Sequence, residues 1–92
     1  MIISFQHKGL QKLYEKNEDK GIGASIRKRV HEALTMLDNV DSAEDMNIPG
    51  YRLHKLTGDL KGYWSIAVSA NWRIIFRFEG KNAADVDLID YH

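Results

Sequence analysis

The chain has 92 residues, enough for one small domain with a single hydrophobic core and too few for two. Its 43% hydrophobic and 28% charged residues are typical of globular proteins, and 13 basic residues balance 13 acidic ones, so net charge gives no argument for nucleic-acid binding. The absence of cysteine excludes disulfides and thiolate zinc sites, and the first apolar run stops at Gln6, too early for a signal sequence or membrane span. We expect one cytoplasmic domain over residues 1–92.

The first half of the chain carries helical periodicity after a short apolar start. Ile2, Ile3 and Phe5 predict a first strand, and the polar stretch 6–20, with apolar residues three and four apart, predicts a short helix. Residues 24–38 predict a longer helix, because the apolar residues fall on one stripe: Ile26, Val30, Ala33, Leu34 and Leu37. The Asp-, Asn-, Pro- and Gly-containing stretch 39–50 predicts a loop, with a short helical turn near residues 43–46.

The second half changes to a period of two, which indicates strands. Apolar residues alternate with polar or small ones over residues 64–69, 72–78 and 85–89, with short turns at 69–71 and 79–82, and residues 51–56 form a further candidate strand. We therefore predict an α+β fold in which two N-terminal helices pack on one face of a small, mostly antiparallel sheet of four or five strands.

The predicted sheet has a second face that carries charge. If Trp72, Ile74 and the residues that alternate with them point at the helices, Arg73 and Arg77 point the other way. Outward arginines beside aromatic residues and histidines can neutralise phosphate and stack bases of single-stranded RNA. The alternative is cross-strand charge pairing of these arginines with Asp85 or Asp87, and the sequence leaves both open for Arg77.

Two of the four histidines stand in a context that favours chemistry. His54 lies in the candidate strand 51–56, and His92 ends the sequence after Asp90 and Tyr91. Two imidazoles beside a carboxylate and a phenol can transfer protons at neutral pH without a metal. A zinc site made from His54, Asp90 and His92 is the alternative, although no element carries a closely spaced His pair. His7 and His31 are interpreted as structural or merely exposed residues.

Several motifs in fixed order then carry a family resemblance. The stretch YRLHKLTGDLKGYWSIAVSANWRIIFRFEG, residues 51–80, and the end VDLIDYH, residues 86–92, contain L-x-G, G-x-W-S-I-x-V, N-W-R-I-x-F and D-Y-H. With the opening Ile-x-Ser-Phe pattern and the helix pair, the chain over essentially its whole length resembles the HigB-type toxins of the RelE superfamily, which are bacterial ribosome-dependent mRNA endonucleases.

The resemblance implies a compact RelE-like, microbial-RNase-like fold that cuts mRNA in the A site of the 70S ribosome. It also implies a HigA-like helix-turn-helix antitoxin, through which alone operator DNA would be bound, and no cofactor, metal or membrane. The implied catalytic residues are His54, Arg73, Asp90, Tyr91 and His92. The expected RNA contacts are Lys55, Thr57, Lys61 and Arg77. Some relatives carry Lys where this chain has Thr57, so either a phosphate-binding charge is missing here or Lys55 or Lys61 takes its place.

The chemistry expected of this set is attack of the RNA 2′-OH on the adjacent phosphorus, giving a 2′,3′-cyclic phosphate. Asp90 or His54 would be the base, Arg73 the phosphate clamp and His92 the acid, while Tyr91 would stack on or hydrogen-bond the nucleotide. The same superfold hosts gyrase-poisoning toxins of the ParE type, which lack the acid and histidine cluster. That activity and a non-catalytic RNA- or protein-binding module are the two alternatives.

Overall fold

The computed structural model describes residues 1–90, so the predicted site residues Tyr91 and His92 lie outside the described residues. Two helices precede the sheet: α1, Lys8–Lys16, and α2, Arg27–Asn39. Both lie where the periodicity predicts them. Among the described residues, no helix is both long enough and apolar enough to cross a membrane.

The helix α1 is shorter than the predicted stretch 6–20 because its ends are set by local hydrogen bonds. The His7 imidazole caps the first turn by accepting from the amide of Leu10 at 3.2 Å. At the other end, Asn17 takes a left-handed conformation with φ 57° and donates its amide to the carbonyl of Leu13. A left-handed residue of this kind terminates a helix by satisfying its last carbonyls.

Within residues 1–90, four strands form one sheet in the order β1-β2-β3-β4, and every neighbouring pair is antiparallel. They are β1 His54–Lys55, β2 Trp64–Ala67, β3 Trp72–Glu79 and β4 Asn82–Asp90. Both predicted turns, between β2 and β3 and between β3 and β4, are present. Short 3₁₀ helices occupy Ala43–Met46, as predicted, and Gly58–Leu60, which was not predicted.

The predicted strand 51–56 is only partly formed. Arg52 interrupts it with a φ of 52°, a left-handed conformation outside the β region that regular strand pairing requires. The carbonyl of Tyr51 still accepts from the amide of Ala67, on β2, at 2.6 Å, and regular pairing resumes only at His54 and Lys55. The segment therefore runs beside β2 with a kink at Arg52.

The apolar start of the chain is not a regular strand but lies parallel to the outer edge of β4. Ile2 bridges Ala83, and Phe5 bridges Val86. Between these bridges, Asp85 has a φ of 51° and interrupts the β3–β4 register, and its amide donates to the Ser4 hydroxyl at 2.7 Å. A β-bulge of this type breaks a ladder, and the serine side chain replaces the missing backbone partner.

One hydrophobic core fills the space between the helices and the inner face of the sheet. The largest fully buried side chains include Phe76 and Ile74 from β3, Ile66 from β2 and Leu34 and Leu37 from α2. The side chains predicted to face the helices therefore do so. This confirms two helices covering one face of a four-stranded, mostly antiparallel sheet.

A polar contact joins the three elements at one end of this core. The Asp38 carboxylate of α2 accepts from the Ile2 amide at 2.7 Å and from the Tyr14 hydroxyl of α1 at 2.7 Å. Burial, together with the hydrogen bond to Asp38 and its charge, raises the pKa of Tyr14 to about 12. Burial opposes ionisation of Asp38, but hydrogen bonds from Tyr14 and Ile2 outweigh it and lower the pKa of the carboxyl.

Candidate active site

The outer face of the sheet, away from the helices, brings His54 and Arg73 into the same region. His54 pairs with Ser65, which pairs with Ile75, and Arg73 is two residues before Ile75 on the same strand. Directly paired residues share a face, and so do residues two apart in a strand. Two interstrand steps and two residues of rise put the His54 and Arg73 Cα atoms about 12 Å apart.

This face is not flat and open as the sequence suggested, because the chain between β1 and β2 folds over it. Ser65 and Ile75 are only 3% and 4% exposed. A cavity of about 290 Å³ remains between the loop and the sheet. Its described lining consists of Arg52, His54, Leu56, Leu60, Ser65, Arg73 and Ile89. The predicted pair of imidazole and guanidinium thus lines one cavity with largely apolar walls.

Asp90 lies one register position beyond the residue of β4 that lines the cavity. It is exposed at the end of β4 and pairs with Trp72, whereas Ile89 pairs with Arg73 and lines the cavity. Strand alternation therefore assigns Asp90 to the face of Trp72. Its catalytic role stays a prediction, as do the roles of Tyr91 and His92, which lie outside the described residues.

Three of the four predicted RNA contacts lie on or after β1. Lys55 follows His54 and so takes the opposite face, where its Nζ lies 5.3 Å from the centre of the Trp64 ring. Thr57 and Lys61 are exposed and flank the 3₁₀ helix Gly58–Leu60. These two side chains are placed at the loop that covers the cavity, and contact with RNA remains a prediction for all three.

The fourth predicted contact, Arg77, is engaged in charge pairing. Its Nε donates to Asp85 at 2.6 Å, and its terminal nitrogen pairs with Glu79. The hydrogen bond from Arg77, followed by that from Gln6, holds the pKa of Asp85 below its usual range. Arg77 is also four residues from Arg73, about 13 Å along the strand. The charge-pairing alternative is the one that the structure supports for its side chain.

One charged residue of the cavity, Arg52, was missed by the sequence reasoning. Arg52 lines the same cavity as His54, is exposed, and makes no hydrogen bond or ion pair with any of residues 1–90. The only signal in the sequence was the local excess of basic residues after Tyr51. Its left-handed backbone could not be foreseen, because Arg is not a residue that favours this conformation.

The remaining histidines have local contacts. His7 caps α1, and the His31 ring lies 6.3 Å from that of Tyr14. Within residues 1–90, no three His, Asp or Glu side chains gather as a possible metal-binding group. The zinc alternative included His92, so this observation does not test it.

Comparison with known proteins identifies the class. The fold is shared with toxins of known structure: a YafQ mutant from E. coli has a TM-score of 0.64, at 20% identity over 98% of this chain and 93% of that one. A YoeB/ParE toxin from Agrobacterium tumefaciens has a TM-score of 0.55, at 17% identity over 100% of this chain and 99% of that one. At such identities the likeness concerns the fold alone, and it confirms a RelE-like α+β toxin fold.

Sequence comparison gives the family. Residues 3–92 match the model for "RelE-like toxin of type II toxin-antitoxin system HigB". The chain is 44% identical over 92 residues to "Endoribonuclease HigB" of Proteus vulgaris, covering 100% of both chains. It is 35% identical over 80 residues to "Toxin HigB-1" of Vibrio cholerae serotype O1, covering 85% of this chain and 84% of that protein. The chain belongs to the HigB family of type II toxins, whose systems pair a toxin with an antitoxin.

Proposed function

We propose that this chain is an endoribonuclease that cuts mRNA in the A site of the ribosome. The observation that carries the proposal is the cavity on the outer sheet face, which His54 and Arg73 line together. An imidazole, which can accept or donate a proton, and a permanent positive charge are two of the three groups that RNA transesterification requires. The name of the Proteus vulgaris relative supports the same activity.

The proposed reaction uses a nucleophile from the substrate and no metal. The 2′ oxygen attacks the adjacent phosphorus while its proton passes to a base, and the bond from phosphorus to the 5′ oxygen breaks. An acid protonates the leaving 5′ oxygen, so the products are a 2′,3′-cyclic phosphate and a 5′-hydroxyl end. Arg73 stabilises the charge of the phosphorane. The strand register favours His54 over Asp90 as the base, because His54 shares a face and a cavity with Arg73.

His92 is proposed as the acid and Tyr91 as the residue that stacks on or hydrogen-bonds the nucleotide. Both roles rest on the family resemblance alone. Thr57 and Lys61 are proposed to contact the RNA at the loop that covers the cavity, and Lys55 is proposed to contact RNA from the opposite face of β1. Arg77 is not included, because Asp85 and Glu79 already neutralise its charge.

Ribosome dependence follows from charge and positioning. The chain has no net charge at pH 7, so it exerts little long-range attraction on free RNA. Binding to a ribosome would align the 2′ oxygen, the phosphorus and the leaving oxygen, and such alignment can supply a large part of the barrier reduction. The proposed location is therefore the cytoplasm, and a HigA-like helix-turn-helix antitoxin is the proposed partner. A short helix-turn-helix reading frame beside the gene would support that partner.

The test is cleavage of a defined message by the purified protein, with and without ribosomes, read by primer extension. We expect cuts at the A-site codon only on ribosomes, and a loss of about 10²- to 10⁴-fold in rate for His54→Ala, the range typical of a missing acid or base. His31→Ala is the matched control, since His31 is an exposed histidine on α2, outside the cavity. Equal cleavage of naked RNA would contradict ribosome dependence, and an unaffected His54→Ala would remove His54 from the site.

Two other functions are separated by mapping 5′ ends of cellular mRNA after induction. A gyrase poison of the ParE type would give double-strand DNA breaks without cuts in messages, and the fold alone does not distinguish it. A non-catalytic binding module would give neither. In-frame cuts at A-site codons would support the proposed nuclease.

A further inference from the structure

A second, larger cavity adjoins the candidate active site. It has a volume of about 470 Å³ and shares Arg52 and Arg73 with the first cavity. Arg29 of α2 completes the basic part of its wall. Its eight described lining residues include these three arginines and no acidic residue. The two cavities therefore form one groove with a concentrated positive charge at one end, in a protein whose total charge is zero.

Arg52 has the features of a residue kept for binding rather than for stability. Its φ of 52° lies in the left-handed region, which residues other than glycine, asparagine, aspartate and histidine rarely adopt, and such backbone outliers cluster at functional sites. Its exposed guanidinium makes no hydrogen bond or ion pair within residues 1–90. In the part of the chain that the structure describes, the side chain therefore makes no hydrogen bond or ion pair that offsets the free-energy cost of this backbone conformation.

Arg29 is held in place by contacts that also fix the backbone beside Arg52. Its terminal nitrogen donates to the carbonyl of Gly50 at 3.0 Å, and its guanidinium carbon lies 5.4 Å from the centre of the Tyr51 ring. Arg29 therefore anchors the segment that presents Arg52, so the cavity has a fixed cation and an exposed one. A guanidinium is suited to bidentate contact with phosphate.

We propose that the cavity of Arg29, Arg52 and Arg73 binds an RNA phosphodiester group other than the scissile one. This inference rests on the proposed function, because it takes the neighbouring cavity with His54 as the site of cleavage. The shared Arg73 places the two phosphate positions in one groove, as expected for successive phosphates of one strand. A phosphate of the message or of the ribosomal RNA can supply this group.

The test measures binding of the purified protein to ribosomes whose message carries 2′-O-methyl groups in the A-site codon, so that the proposed attack cannot occur. Arg52→Gly is the main variant, because glycine adopts the left-handed conformation without strain. We expect about a tenfold loss of affinity, and a decrease of about 0.7 in the slope of log K against log salt, as for one lost contact to single-stranded phosphate. The melting temperature should equal or exceed that of the wild type. Arg52→Lys should recover part of the affinity.

Two further arms assign the source of the phosphate and control for charge. Ribosomes with a message that ends before the A-site codon distinguish the two sources. If Arg52→Gly loses affinity only for ribosomes with the full message, the phosphate belongs to mRNA. If it loses affinity for both kinds of ribosome, the phosphate belongs to ribosomal RNA. Lys81→Gln removes a charge from the β3–β4 turn and should leave affinity unchanged.

The inference would be overturned if the Arg52→Gly variant bound both kinds of ribosome as tightly as the wild type and with the same salt dependence. Failure of the proposed function has a different signature: wild-type protein that binds ribosomes but leaves unmodified message uncut. Wild-type protein that does not bind ribosomes would overturn both.

Discussion

Replacing Tyr14 with Phe tests how the polar contact at the end of the core stabilises the fold. The change removes one hydroxyl, which donates to the Asp38 carboxylate at 2.7 Å, and leaves the ring in place. Hydrogen bonds to charged groups contribute about 1.5 to 3 kcal/mol. The rise of the Tyr14 pKa from 10.0 to about 12 corresponds to about 2.7 kcal/mol, but burial accounts for more of it than the hydrogen bond does. For these partly exposed side chains we expect a loss of about 1.5 kcal/mol.

The pH dependence of this loss follows from the two pKa shifts. The pKa of Tyr14 is higher in the folded chain than in the unfolded one, so its contribution is complete below pH 10 and disappears as pH rises through about 12. The pKa of Asp38 is lower in the folded chain, so its contribution is present above about pH 4 and disappears as pH falls below that value. The difference between wild type and Tyr14→Phe should be constant from about pH 5 to 9 and shrink outside that range.

The assay is urea unfolding and thermal unfolding at several pH values, both followed by the fluorescence of Trp64 and Trp72. A loss of 1.5 kcal/mol should lower the melting temperature by about 6 to 12 °C for a domain of this size. Tyr63→Phe is the matched control, because its hydroxyl makes no hydrogen bond within residues 1–90. Equal effects of the two substitutions, or a Tyr14→Phe effect that does not change at low pH, would refute the reasoning.

Three further substitutions test the core, the bulge and the loop. Phe76→Ala should cost about 3 to 5 kcal/mol in urea unfolding, since the ring is fully buried, whereas Phe76→Leu should cost much less; equal losses would contradict close packing. Asp85→Val should unfold at lower urea than Asp85→Asn, because a β-branched residue is disfavoured at a φ of 51° and both substitutions remove the charge. Lys61→Ala should weaken ribosome binding and its salt dependence while Lys81→Ala does not, and identical salt slopes would remove Lys61 from the RNA-contact set.

The elements that the sequence predicts well are those whose pattern depends on burial alone. The stripe on α2 and the alternation on β3 both face the single core, so periodicity was sufficient to orient them. The strands at the edges of the sheet were predicted less well. Arg52 shortens β1 and Asp85 interrupts pairing along β4, and both do so through left-handed backbone conformations. Arginine rarely adopts this conformation, and aspartate adopts it too seldom for its position in the sequence to predict a bulge.

The residues of the candidate site also differ in how well the sequence predicts them. Period-two alternation correctly put Arg73 on the outer face, and the motifs supplied His54. Alternation did not reveal that the loop around Gly58–Leu60 covers this face and turns it into a cavity. Nor did it reveal Arg52, because long-range folding of the chain decides which exposed cations converge.

β4 completes both the sheet and the cavity that we propose as the active site. This strand, Asn82–Asp90, lies between β3 and the first residues of the chain, and Ile89 supplies part of the cavity wall. A chain without β4 lacks the strand that pairs with Ile2 and Phe5, and it also lacks one side of the cavity. Fragments that lack β4 should therefore be inactive, because they lack one wall of the cavity that we propose as the active site.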